Sequence, residues 1–107
     1  MSNIEQTLEQ EHVDFKNKLS MFYAETQLSF SAGGKVLDVS PGSLKEWYRE
    51  RNGKVRKPAA HIMRSVELKI DRLNSLNKEV GIYNQMYGLS PGDRIAFLRD
   101  HLQNLAG

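Results

Sequence analysis

The sequence contains no cysteine, which excludes a disulfide framework, a thiolate zinc site and a cysteine nucleophile. No apolar run approaches the roughly 18 residues of a membrane-spanning helix, so no membrane partner is expected. The first eleven residues hold neither Lys nor Arg and no apolar stretch. They do not read as a secretory signal, and a cytoplasmic location is the expectation. Strand signals are almost absent: the one aromatic cluster of note, Met21-Phe22-Tyr23, sits inside a helical pattern. Signatures of catalysis are missing too, with no P-loop, no GxGxxG and no GxSxG elbow. His12, His61 and His101 stand far apart without ligand spacing, and His61 beside Ile62 and Met63 reads as a partly packed helix residue. Gly33-Gly34 is better explained by a helix crossing than by a phosphate cradle. The chain is expected to be no enzyme and to need no metal and no cofactor.

What is present suffices for one modest core. The chain has 107 residues, 39% hydrophobic and 26% charged, which is ordinary for a soluble single domain and too little for a large two-domain enzyme. The net charge of +2 hides an uneven distribution. Residues 1–40 hold three lysines against six acids, a balance of −3, and residues 73–107 are neutral. Residues 41–72 carry nine Lys and Arg against four acids, a balance of +5. A basic block of this kind is either a solvated face or the footprint of a polyanion partner.

Helical periodicity runs through the chain and predicts an all-α fold of five or six helices. Ile4, Leu8, Phe15, Leu19, Phe22 and Tyr23 recur at helical spacing over residues 4–27, with Ser2 or Asn3 as a cap. The sparse start, residues 1–12, reads as an arm or an extension of that first helix. Ser29 or Ser31 opens a short helix, Phe30 to Leu37. Ser40-Pro41 opens another, because Ser caps and Pro suits the first helical position. That helix carries Leu44, Trp47 and Tyr48 and is predicted to stop near Asn52-Gly53. A basic loop, Lys54 to Lys57, leads to a long helix over about residues 58–80. Ser90-Pro91 starts a final one, with Ile95, Leu98, Leu102 and Leu105 on one stripe.

Two short helices joined by a tight turn invite comparison with the DNA-binding helix-turn-helix. The twenty residues Phe30 to Arg49 fit that unit without a gap. Gly34 supplies the very small residue needed where the helices cross, and Asp38 tolerates the left-handed turn position. Leu37, Val39, Leu44 and Trp47 supply the internal apolar contacts. This stretch resembles the helix-turn-helix of phage repressor and Cro-type regulators, and the resemblance covers about residues 13–70. Trp47, Gly53 and Pro58 are similar to the tryptophan–glycine–proline run that closes the recognition helix in many of them. The loop from Trp47 to Pro58 is longer than theirs and basic. Pro41 and Gly42 stand where many members carry Gln or Ser that reach bases.

The resemblance implies a sequence-specific transcriptional regulator, a repressor of phage or mobile-element type, that binds double-stranded DNA at an inverted-repeat operator. Its recognition helix, residues 40–52, would enter the major groove with Ser40, Ser43, Lys45, Glu46 and Arg49 outward. Arg49 offers a bidentate fork to guanine, and Lys45 serves guanine or phosphate. Glu46 accepts from cytosine, orients a neighbouring cation, or stays solvated beside Glu50 and Asn52. Arg51, Lys54, Arg56 and Lys57 would contact the backbone or minor groove, with Ser31 and Lys35 facing phosphate from the first helix, and Asn52 completes the expected DNA-binding set. Residues 13–61 would form the DNA-binding region and residues 62–107 a helical dimerisation region. Val66, Leu73 and Val80, seven apart, suggest a helix–helix seam for a homodimer, joined by Leu76, Leu98 and Leu102, with Lys69 breaking the second seam position. The same stripe equally suits a core-facing helix. Residues 89–100 echo residues 39–50 as Leu-Ser-Pro-Gly, either a convergent capped helix or a decayed second unit. Two other readings of the scaffold stay open: a protein-binding module of antitoxin or inhibitor kind, and a small-terminase-like subunit for phage DNA packaging.

Overall fold

Among the residues that the computed structural model describes (3–48, 50–51, 54–55 and 58–103), the chain forms six helices and one two-residue antiparallel ladder. Side chains are placed over residues 10–47 and 58–103. The first helix, α1 (Asn3–Thr26), runs unbroken. It buries His12, Phe15, Leu19, Phe22 and Thr26 in steps of three and four, the spacing that puts side chains on one helix face. The Thr26 hydroxyl donates back to the Phe22 carbonyl at 2.7 Å, and Gln27 turns left-handed at φ 56°, which ends the helix.

In α2 (Phe30–Leu37) the cap is Ser29, whose hydroxyl accepts from the Ala32 N–H at 3.1 Å. The next helix, α3 (Pro41–Tyr48), stops well before the expected Asn52-Gly53. The chain instead forms β1 (Glu50–Arg51) and β2 (Lys54–Val55), paired Glu50 to Val55 and Arg51 to Lys54. Asn-Gly between two extended pairs is the strongest short-range hairpin signal, and it outweighs the helix-stop reading. Next comes α4 (Ala60–Val80), closed by Gly81 at φ 67° with its N–H on the Asn77 carbonyl at 2.8 Å. The left-handed conformation there is one that glycine adopts at no steric cost. Short α5 (Ile82–Met86) leads to α6 (Pro91–Gln103), capped by Ser90, which accepts from the Asp93 N–H at 3.3 Å.

One core joins all six helices. Phe15, Leu19 and Phe22 of α1 meet Leu37, Leu44 and Trp47 from α2 and α3, and Val66, Ile70 and Leu73 from α4. Helix α6 lies against α2, α4 and α5, so the C-terminal helix backs the helix–turn–helix unit. The boundaries expected at residues 12/13 and 61/62 therefore fall inside α1 and α4, and the stretches on either side share one core.

The seam expectation changes accordingly. Val66, Leu73 and Leu98 are 1%, 0% and 0% exposed within a single chain. They pack the protomer's own core and have no surface to offer a partner. Leu76 and Leu102 are half-buried, and Val80 is exposed. Nor does the echo, carried upstream at the same offset to residues 79–100, reproduce the crossing. Gly88, the counterpart of Asp38, adopts no left-handed φ; Asn84, that of Gly34, is exposed; and Arg94, that of Leu44, donates from its guanidinium to the Leu89 and Tyr87 carbonyls at 3.0 and 3.1 Å. Among the described residues, no helix is long and apolar enough to cross a membrane.

Candidate nucleic-acid interface

The unit formed by α2, three turn residues and α3 is held by contacts that each have a cause in the sequence. Gly33 lies against the Tyr23 ring of α1, and Gly34 against the Val39 carbonyl oxygen. A side chain at position 34 would run into backbone, so the close approach there requires glycine, whereas one at position 33 would meet the Tyr23 ring and displace it. Asp38 takes the left-handed conformation at φ 61°, ψ 45°, a region that Asp tolerates better than most residues. Its N–H and that of Val39 both reach the Gly34 carbonyl, the latter at 2.9 Å. The Ser40 hydroxyl caps α3 by accepting from the Ser43 N–H at 3.2 Å and donates to the Ser43 hydroxyl at 2.8 Å. Leu44 and Trp47 point inward, with the Trp47 ring edge-on to Phe15 at 5.4 Å.

This anchoring decides which face of α3 is free. Pro41, Gly42 and Lys45 are exposed and share the outward stripe. Ser43 and Glu46, expected outward, are half-buried and turned toward α4. They line an open groove of about 980 Å³ with Trp47, Ile62, Ser65 and Lys69. With Leu44 and Trp47 inward, the helical period puts positions 43 and 46 on one side of α3, the side that faces α4, and position 45 on the opposite side, with 42 outermost. Ser31, Lys35 and Ser40 are exposed and border a second, smaller cleft at the start of α3. Arg49, Asn52, Arg56 and Lys57 lie outside the described residues, as do the side chains of Arg51 and Lys54.

Two residues were not anticipated from the sequence. Lys69, which only interrupts the heptad spacing in sequence, donates from Nζ to the Leu37 carbonyl at 3.1 Å. A cation from α4 thus stabilises the last turn of α2, where helix carbonyls lack partners. Arg99 of α6 borders the smaller cleft beside Lys35 and Ser40. The only hint of it in sequence is the echo, which aligns Arg99 with Arg49.

Part of the basic block's own negative charge is neutralised from outside it. Lys18 of α1 stands 2.9 Å from Asp71 and 3.6 Å from Glu67. The Asp71 hydrogen bond, with both carboxylates, outweighs partial burial and holds the Lys18 ammonium above its usual range. No protein-family model, curated protein or solved structure matches this chain.

Proposed function

We propose that this protein is a sequence-specific double-stranded DNA-binding regulator that places α3 in the major groove and represses by occupying an operator. The observation that carries the reading is the α2–turn–α3 unit itself. Its crossing at Gly34 and left-handed Asp38 leave Pro41, Gly42 and Lys45 exposed on a helix whose other sides are anchored. A short helix presented in this way, beside a segment of net charge +5, suits groove entry flanked by phosphate contacts. The half-buried Glu46 and the mutually bonded Ser40 and Ser43 leave Lys45 as the reading residue on the described part of α3. Two copies on an inverted repeat, with half-sites about 34–36 Å apart, would double the contact area of one short helix. Leu76, Val80 and Leu102 are the apolar residues of the expected seam that still reach the surface.

The test is selection of bound duplexes from a random library, followed by titration at several salt concentrations. If about four to six phosphates are contacted per half-site, affinity falls by orders of magnitude between roughly 50 and 200 mM salt. Lys45→Ala should cost about 1–3 kcal/mol on the selected site. Failure to enrich any sequence, with flat isotherms across that salt range, would reject the DNA reading. A ring of many copies on DNA would favour packaging over repression.

A further inference from the structure

The smaller cleft at the start of α3 has a volume of about 320 Å³ and is bordered by Ser31 and Lys35 of α2, Asp38 and Ser40 of the turn, and Arg99 of α6. We propose that Lys35 and Arg99 close on one nucleic-acid backbone phosphate in this cleft, so that the C-terminal helix takes part in binding. The inference rests on the DNA reading above and extends it to a helix outside the helix–turn–helix unit.

Three observations carry it. Lys35 and Arg99 are both exposed, and neither makes an ion pair among the described residues. No acid stands three or four positions from Arg99 along α6, so it has no helix-spaced ion-pair partner. The two cations come from distant parts of the sequence and are brought to one cleft because α6 packs on α2. That packing fixes α6 relative to the outward face of α3, since Ser40 and Pro41 border the cleft and begin that face. A guanidinium fork matches phosphate oxygens, while the lysine acts as a point charge beside it. Ser31, which borders the same cleft, adds a neutral hydroxyl donor. The Asp38 carboxylate opposes an anion there, and this gives the proposal a test of opposite sign.

The experiment uses the full chain and two labelled duplexes, the selected operator and one of unrelated sequence. Arg99→Gln, which keeps helix propensity, should weaken both duplexes about tenfold and equally, because phosphate contacts position without specifying. The dependence of log affinity on log salt should become shallower by about 0.9 per lost contact. Lys35→Gln should do the same, and Asp38→Asn, which keeps a residue at ease in the left-handed turn, should tighten both duplexes. Unchanged melting curves for the three variants tie the changes to charge. The proposal is overturned if Arg99→Gln alters neither affinity nor salt slope while the unmodified protein binds with strong salt dependence. It is overturned equally if Asp38→Asn weakens binding, or if Arg99→Gln acts on the operator alone, which would make Arg99 a base reader. Absence of any duplex binding by the unmodified protein removes the DNA reading itself and this extension with it.

Discussion

Replacing Gly34 and Gly42 separately by alanine tests the helix crossing with one chemical change in two environments. Both glycines sit in helices, where alanine is favoured by roughly 0.5–1 kcal/mol through lower unfolded-chain entropy. At Gly42 nothing lies within 4 Å of an added Cβ, so that gain should appear undiminished. At Gly34 the Cβ would run into the Val39 carbonyl oxygen, with Pro41 N at 3.5 Å and Leu44 Cδ1 at 3.6 Å. The obstructing atom is backbone, in a turn bracketed by the Val39 N–H bond to the Gly34 carbonyl and by Lys69 on the Leu37 carbonyl. It cannot rotate aside as a side chain would. Overpacking of this kind costs about 1–3 kcal/mol, which exceeds the entropic gain. Gly34→Ala should therefore lose roughly 0.5–2 kcal/mol net, and Gly42→Ala should gain up to about 1. Urea unfolding followed by circular dichroism measures both, as a shift of midpoint at constant slope. On a domain of this size 1 kcal/mol corresponds to about 4–8 °C in melting temperature. Gly42→Ala should also weaken DNA binding despite its added stability, because its methyl stands on the exposed stripe of α3. A Gly34→Ala midpoint at or above that of the unmodified protein would refute the crossing argument.

Trp47→Ala should lower stability by about 3–5 kcal/mol through lost transfer energy and a cavity against Phe15, while Trp47→Phe keeps most of it. Normal melting of Trp47→Ala with binding abolished would instead make the indole a base-stacking group. Lys69→Met should cost about 1.5–3 kcal/mol, since it removes a charge-assisted bond to the Leu37 carbonyl. Faster amide exchange at Val39 would follow as the turn loosens, and unchanged exchange there would count against it. Tyr83 is buried, and burial first, then the Glu25 and Tyr87 charges, raises its hydroxyl above the usual value of 10. In the folded chain that hydroxyl donates to Asn74 at 2.8 Å. Above pH 10 the unfolded chain releases this proton and the folded chain holds it. Stability conferred by neutral Tyr83 is thus complete below about pH 10 and declines as pH rises further. Ultraviolet titration should show Tyr83 ionising only with unfolding, whereas ionisation at pH 10 with the fold intact would contradict its burial.

Much of this protein was legible in its sequence because the signals concerned are local. A serine before proline caps a helix by bonding to N–H groups two or three residues ahead, so Ser40-Pro41 and Ser90-Pro91 marked helix starts without reference to the rest of the chain. The requirement for a tiny residue at Gly34 and a left-handed one at Asp38 also arises within a few residues, and both positions carry it out. Asn52-Gly53 was local too, but it offers a helix stop and a hairpin turn at once. Pairing of Glu50–Arg51 with Lys54–Val55 made the choice. What tertiary structure alone decided is what covers each face. The seven-residue spacing of Val66 and Leu73 establishes an apolar stripe, and a stripe is satisfied as well by the chain's own α1 as by a second copy. Packing of α1 along α4 settled that, and it took Val66 and Leu73 into the protomer core. Lys69 looked like a flaw in the stripe until α2 ended beneath it. The rotation of α3, set by Leu44 and Trp47 against the core, turned Glu46 aside and left Lys45 outward. Arg99 borders the same cleft as Lys35 only because α6 lies on α2. Periodicity reports which residues share a side of a helix; only the neighbouring helix, placed by burial of apolar surface over the whole chain, determines what that side meets.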